Sequence, residues 1–468
     1  MLSLFYKPQP IIEERGESHF VPAHPLPRQK PLGLLGMAIG ARRNLIGDWM
    51  AQHYRSGVDS FRMLNRQIVV VNAPEAVKHV MVTHNAIYER KSPQMRRALE
   101  YLLGDGLFIS DGKTWQRRRP LVADIVHKNR LPAFAPTMED VAGALAARWA
   151  ARELGDSVDM LAEMAELTAE IIARTVFGSQ LGAKAANQVI SGFTEYQKHV
   201  DSFNLGYFLG SDEGWAIRRS RGLRQGAERV QKVIDEVVNR HLQGDGDDDS
   251  MLQLLVKRRA KSPELGLDVE ALRNEAATIF MAGHETTASL LTWCWYCLAN
   301  APWAEGALHR ELDDVLGGRP PQVSDVANLP YARAVIEETL RLYPPVPILS
   351  RQASQTDRLG NLDIEKGALV LVIPWLLHRA EDLWDKPRHF MPKRFLGEAR
   401  PKPYCYVPFA VGPRICAGLA FGLTEAILCL ATLAQRFRVR PVAEGPVEPV
   451  CRLTLRPKNG LVARVEAR

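Results

Sequence analysis

One cysteine stands where a sulfur atom could do chemistry. Cys416 lies in the ten residues from Phe409 to Gly418, Phe-Ala-Val-Gly-Pro-Arg-Ile-Cys-Ala-Gly, a loop punctuated by glycine and proline. An apolar segment follows, Leu419 to Phe437, in which Leu419, Leu423, Ile427, Leu430 and Leu433 recur at helical spacing without a proline. A cysteine just ahead of a helix meets unpaired backbone N–H groups and the positive dipole end, which favour thiolate over thiol. Such a thiolate is a nucleophile or a metal ligand. The neighbours favour the ligand. Gly412 and Gly418 suit backbone that turns sharply or lies against a flat cofactor, and Arg414 supplies a cation fit to meet a carboxylate. No second Cys or His stands at zinc-ligand spacing from Cys416.

Three further constellations accompany it. Ala282-Gly283-His284-Glu285-Thr286-Thr287 places a glycine inside a helical pattern, at a cost of about 1 kcal/mol. Threonine hydroxyls that bond back to carbonyls loosen such a helix further. The bland reading is close helix packing with Glu285 in a core salt bridge. The sharper one is a widened groove for a diatomic ligand beside an acid and an alcohol that pass protons; His284 is assigned no role. Glu338 and Arg341, three apart, share a helix face, with Arg394 farther along in Pro392-Lys393-Arg394-Phe395. Trp115 and Arg119 lie four apart on another helical stretch.

Together these stretches resemble the cytochrome P-450 family. Its haem-binding pattern, Phe-x-x-Gly-x-Arg-x-Cys-x-Gly, is filled by Phe409, Gly412, Arg414, Cys416 and Gly418. Residues 282–287 are similar to its oxygen-activation motif, and Glu-Thr-Leu-Arg-Leu-Tyr-Pro-Pro, ending at Pro345, to its next signature. Trp115 and Arg119 fit its Trp-x-x-x-Arg helix, and the matches fall in the family's order. Lys393 departs from the pattern, which carries glutamate there.

The resemblance implies haem b with Cys416 as axial thiolate, lodged between a long central helix and the Cys-bearing loop. It implies Trp115, Arg119, Arg351 and Arg414 around the propionates, with Phe409, Gly412, Gly418, Ala282 and Gly283 against the cofactor. Glu285 and Thr286 would be catalytic, delivering protons; Glu338, Arg341 and Arg394 would hold the loop. The implied reaction is O2-dependent hydroxylation of a C–H bond in a hydrophobic small molecule of the fatty acid, terpenoid or steroid class. Its pocket would draw on Leu107, Phe108, Ala282, Val346, Ile348, Leu349 and Leu453, and on Leu102, Phe203, Leu205 and Phe208 nearby. No Gly-rich dinucleotide fingerprint appears, so electrons are expected from a separate ferredoxin or flavodoxin with its NAD(P)H-dependent reductase. Lys113, Arg117, Arg118, Lys128, Arg400 and Lys402 suit an acidic partner by charge steering, while Arg117 and Arg118 read equally as a solvated helix face. Two rival readings are a peroxide-driven hydroxylase of the same fold and a non-catalytic haem-thiolate gas sensor or carrier.

The elements that must position these residues read as mainly α with a minor β component, in one large domain. Hydrophobic residues make up 46% and charged ones 24%, ordinary for a globular chain. A net charge of +7 with dispersed basic residues argues against nucleic acid. The six cysteines are irregularly spaced, which points away from a disulfide framework and toward a reducing, cytoplasmic setting. Cys294 and Cys297 lie in an apolar helical run and read as packing residues. With no run of about 20 apolar residues at the N-terminus, no membrane span or signal peptide is expected, and the chain resembles the soluble bacterial type, a monomer. Residues 1–32, rich in proline, read as an extended lead-in to a domain over 33–468. Helices are expected over 34–55, 132–154, 157–178, 184–203, 212–243, 303–316 and 331–343. Paired strands are expected around Asn65, and more strand over 348–373 and 451–465. Residues 379–408 read as irregular. The longest helix should run from Val269 to Ala299, capped by Asp268 and stopped at Asn300-Ala301-Pro302. At 1.5 Å per residue it would be about 45 Å long and would cross the domain.

Overall fold

The computed structural model describes residues 6–153, 156–178, 182–200, 205–213, 220–244, 250–397, 401–443 and 445–468. Its axis is the helix Val269–Ala299. Asp268 starts it by accepting the Ala271 N–H at 2.7 Å, and Asn300 ends it, its N–H turned back to the Cys297 carbonyl. Every side chain from Thr287 to Leu298 is buried, so no face of that half is left for water. Trp293 stacks on Tyr343, with ring centroids 3.9 Å apart and planes 2° from parallel. The helices Met160–Phe177, Pro330–Leu342 and Leu419–Ala434 pack around this axis. The Met160 helix is capped by Asp159, which accepts the Leu161 N–H at 3.0 Å.

A four-stranded sheet stands at one side, in the order Val58–Met63, Arg66–Val71, Leu369–Val372, Leu349–Gln352. The first two form the expected hairpin around Asn65. Val69 and Val70 then pair in parallel with Val370 and Leu371, and Arg351 lies opposite Val370 from the other edge. Lys91 bridges to Arg351, which brings a second cation to the sheet edge.

Three expectations need correction. The lead-in folds as a hairpin, Ile11–Arg15 with Phe20–Pro25, and is packed into the domain. The second strand is wholly buried, and Ala23 is held by the hydroxyls of Tyr296 and Tyr343. Helix 34–55 stops at Arg43, because the Asn44 side chain is taken by the C-terminal segment: it accepts the Cys451 N–H and donates to the Pro449 carbonyl. The helix expected over 212–243 begins at Arg221, where Ser220 accepts the Leu223 N–H. Residues 379–397 and 401–408 are irregular as expected, apart from a short turn of helix at Pro392–Phe395; 398–400 lie outside the described residues. No helix among the described residues is long and apolar enough to cross a membrane.

Candidate active site

A cavity of about 280 Å³ lies between the long helix and the Cys416 loop. It gathers residues that the sequence scatters over more than three hundred positions. Ala282, Gly283, Glu285 and Thr286 face it from the helix; Phe409, Arg414, Cys416 and Gly418 from the loop; Trp115 and Arg119 from the helix Gly112–Ile125. Arg351 and the apolar residues Leu107, Phe108, Val346, Ile348, Leu349 and Leu453 complete the wall. Gly412, Glu338, Arg341 and Arg394 stand behind it. Of the outlying apolar residues, Leu102 is in the core, Phe208 lines a neighbouring cavity, Leu205 is exposed, and Phe203 lies outside the described residues.

The loop is held by its own backbone. Cys416 N–H donates to the Phe409 carbonyl at 2.9 Å, and Ile415 N–H to the Gly412 carbonyl at 3.0 Å. Gly412 sits at φ +75°, and a Cβ there would lie 2.1 Å from the Met81 carbonyl oxygen, so only glycine fits. The cysteine side chain is exposed, but to the cavity. Burial pushes its thiol up, against the opposing pull of the Gly418 N–H, Arg119 and Lys91. The helix-end argument from sequence is thus met by a larger desolvation cost. A metal ion at the sulfur would reverse that balance by deprotonating the thiol outright.

On the long helix, residues 282–287 show the close packing of the plainer reading and no widening of the helix. A Cβ on Gly283 would meet Ile172 Cδ1 at 2.7 Å, which is close helix packing. The helix stays regular through this stretch, and Thr286 donates its hydroxyl to the Ala282 carbonyl at 2.6 Å. Glu285 accepts the Thr454 hydroxyl at 2.6 Å and has Arg456 at 3.9 Å, so the C-terminal segment holds its carboxylate at the cavity wall. His284 is buried between Phe193 and Phe280.

The cations show what the cavity is built to hold. Lys91, Arg119, Arg351 and Arg414 all line it. Burial, and then Arg414, lowers Arg351 to about 9; burial lowers Arg414 to about 10; burial, Arg351 and Arg414 push Lys91 well below its ordinary range. Arg414 donates one N–H to the Ser110 carbonyl at 2.7 Å and lies 4.3 Å over the Trp115 ring. Its buried Nε and Nη2 have no partner among the described residues. Buried cations left so call for anions, and two carboxylates of one ligand would satisfy them. A haem with its two propionates fits this donor set.

Behind the wall, Glu338 and Arg341 on the Pro330–Leu342 helix are fully buried. Arg341 binds Glu338 through Nε at 2.7 Å and Nη2 at 2.8 Å, and Arg394 reaches the same carboxylate at 3.1 Å. Arg341 also donates to the carbonyls of His378, Pro387 and His389, and His378 Nε2 accepts the Val407 N–H at 2.9 Å. The chain entering the cysteine loop is thus tied to this pair. Lys393 is exposed, so its departure from the pattern falls outside the network.

Some groups at the site carry no motif. Lys91 sits in an unremarkable Arg-Lys-Ser, so nothing in the sequence marks it. Glu275 and Glu425 carry one signal, an acid within a strongly apolar helical run. Glu425 is fully buried in the cavity wall, accepts the Thr287 hydroxyl at 3.2 Å, and is pushed up to about 8 by burial. Glu275 accepts the Leu107 N–H at 3.0 Å and binds Arg118 at 3.2 Å. Arg118 is therefore buried rather than solvated, and it also donates to the Asp105 carbonyl. A Cβ on Gly106 would lie 2.8 Å from the Asn274 carbonyl oxygen, so the segment carrying Leu107 and Phe108 is clamped to the long helix.

Burial pushes Glu275 up from 4.5 to about 7, against Arg118 and the Leu107 N–H. The folded chain then keeps a proton that the unfolded chain releases. That contribution is full below about 4.5 and is lost as pH rises through about 7. Glu275→Gln should therefore lose less stability than the parent between about pH 5 and pH 8, measured as the shift in urea midpoint. Equal shifts in both proteins would show that Glu275 does not titrate in this window.

Fold and cavity define a class: a mainly helical protein with a cysteine loop set against a long helix, around a chamber lined by Lys91, Arg119, Arg351 and Arg414. The cytochrome P450 family profile matches residues 25–464, and the chain belongs to that family of haem-binding monooxygenases. It is similar to cyclooctatin synthase of Streptomyces melanosporofaciens, 33% identical over 407 residues, covering 84% of this chain and 85% of the relative. It is also similar to a cytokinin hydroxylase of Arabidopsis thaliana, 30% identical over 407 residues, covering 83% and 77%. Among solved structures, the cytochrome P450DA heme domain superposes with a TM-score of 0.76 at 25% identity, covering 88% of this chain and 90% of that one.

Proposed function

We propose that this chain binds haem b through Cys416 and hydroxylates a C–H bond of an apolar small molecule with O2. The observation that carries this reading is the meeting, in one cavity, of the Cys416 sulfur, the uncompensated cations and the Glu285–Thr286 pair. A haem held by Cys416 would supply O2 activation, which thiolate ligation promotes by donating electron density. The protein's part is to orient and to move protons. Arg351, Arg414, Arg119 and Lys91 take the propionates, with Trp115 under Arg414. Thr286 presents its hydroxyl oxygen at the cavity wall, and it and Glu285, whose carboxyl is steadied by Thr454, would deliver protons into the cavity. Leu107, Phe108, Val346, Ile348, Leu349 and Leu453 exclude water and set an apolar binding surface.

Such walls favour a substrate of the terpenoid, steroid or fatty acid class. Relatives named cyclooctat-9-en-7-ol 5-monooxygenase and carotene epsilon-monooxygenase favour, within it, ring-bearing hydrocarbons and their alcohols. Electrons come from a separate acidic ferredoxin or flavodoxin with its reductase. Lys113, Arg117, Lys128 and Lys402 are exposed to meet it, Arg118 is withdrawn into the core, and Arg400 lies outside the described residues. The free cysteines suit a reducing, cytoplasmic setting.

Thr286→Ala tests the proton path. The variant should keep the red-shifted Soret band of its reduced CO complex while oxygen consumption yields peroxide in place of hydroxylated product. Product formed in step with oxygen consumed would remove Thr286 from the path. Glu285 and Thr286 together at the wall favour O2 over peroxide as oxidant, and turnover supported by peroxide alone in the parent would reverse that preference.

A further inference from the structure

A second cluster of potential ligands lies away from the cavity. The helix Pro74–Lys78 runs into a π turn, His79–Thr83, closed by the His84 N–H on the His79 carbonyl at 2.8 Å. In an α-helix, residues five apart point about 140° away from each other. A turn closed from residue i to i+5 brings them to one side instead, and such turns are rare and often sit at functional sites. Here it brings two imidazoles together, their planes tilted by 41°. The rings of His79 and His84 are 3.9 Å apart, and their Nδ1 atoms face each other at 3.1 Å.

Asp357 settles which nitrogen of His79 is free. Its Oδ2 lies 2.7 Å from His79 Nε2 and also accepts the Tyr88 hydroxyl at 2.7 Å. His79 therefore carries its proton on Nε2 and turns the Nδ1 lone pair toward His84. Without an ion, His84 fills the gap by donating its own Nδ1 proton. With that proton gone, two bare imidazole nitrogens are left 3.1 Å apart, and a small rotation of either ring aims both lone pairs at one point between them.

We propose that His79 and His84 bind one divalent transition-metal ion of the zinc type through their Nδ1 atoms, with Asp357 as the carboxylate that orients His79. Zinc–nitrogen bonds of about 2.0–2.1 Å in a tetrahedral shell put two ligand nitrogens about 3.3 Å apart, close to the spacing found. Imidazole suits zinc, copper and nickel, and a carboxylate behind the ligating ring is the usual outer support. One donor atom from each of His79, His84 and Asp357 lies within 4.8 Å of the others, and all three residues are half-buried, so an ion can reach them from solvent. The same turn carries Met81, whose carbonyl lies against Gly412, so an ion here braces the backbone that backs the Cys416 loop.

The test uses the haem-loaded protein, stripped of loose metal with a chelator and titrated calorimetrically with zinc chloride. One ion per chain with micromolar affinity is expected, weakened at least about tenfold in His84→Gln. The copper(II) form of the parent should show hyperfine coupling to two nitrogens by electron paramagnetic resonance, a reading that needs no variant. Zinc binding of equal strength in His84→Gln, no binding by the parent up to millimolar zinc, or a copper signal without the second nitrogen would each overturn the site.

Discussion

Cys416→Ser is expected to leave a folded chain without turnover and without the red-shifted Soret band of the reduced CO complex. Serine is close in volume, and the side chain faces the cavity instead of the core, so no packing is lost. The loop is held by backbone hydrogen bonds that survive the change. What changes is the acid. The sulfur already resists ionising because it is buried, and Arg119, Lys91 and the Gly418 N–H oppose that only in part. A serine hydroxyl is a far weaker acid in the same place and stays neutral, so it offers iron a poor, hard ligand. The difference spectrum of the reduced, CO-treated protein checks this, beside thermal unfolding of the parent. A variant that kept both the band and the turnover would remove Cys416 from the iron.

Glu338→Ala is expected to destabilise the fold by about 3–5 kcal/mol, the typical result of breaking a buried ion pair from one side. The loss is large because Glu338 serves two guanidinium groups and the Met391 N–H at once, with no exposure to water. Without it, Arg341 and Arg394 remain as buried charges beside the Trp384 ring. Arg341 also ties together the carbonyls of His378, Pro387 and His389. Disorder should therefore spread into the irregular stretch that leads to Val407 and on to the cysteine loop. Urea unfolding followed by tryptophan fluorescence should show the lowered midpoint, and haem release should precede global unfolding. Glu338→Gln keeps the shape but not the charge, and should recover little. Parent-like stability in either variant would show that the network is dispensable.

The long helix was legible to the residue, because Asp268 and Asn300-Ala301-Pro302 are local signals and the apolar pattern between them is long. The cavity wall was legible for a different reason: its residues belong to patterns whose spacing is set by chemistry, as at Cys416 and Glu285. What escaped was set by contacts across the chain. Nothing near Asn44 announces that residues 449–451 will take its side chain and stop a helix. Lys91 became part of the site only through pairing with Arg351 at a sheet edge. Arg118 looked, with Arg117, like part of a solvated helix face until Glu275, more than 150 positions away, drew it inward. The N-terminal hairpin was hidden behind its prolines, since its burial depends on Tyr296 and Tyr343.

The uncompensated guanidinium nitrogens of Arg414, beside Arg351 and Lys91, bear on how the protein is made. If the proposed haem binding holds, the newly synthesised chain would keep like charges pressed together in its interior until a porphyrin arrives, and maturation would be complete only when the pigment neutralises them. Its lifetime in a cell is therefore expected to follow iron and porphyrin supply, with chains made in excess of that supply the first to meet the proteases.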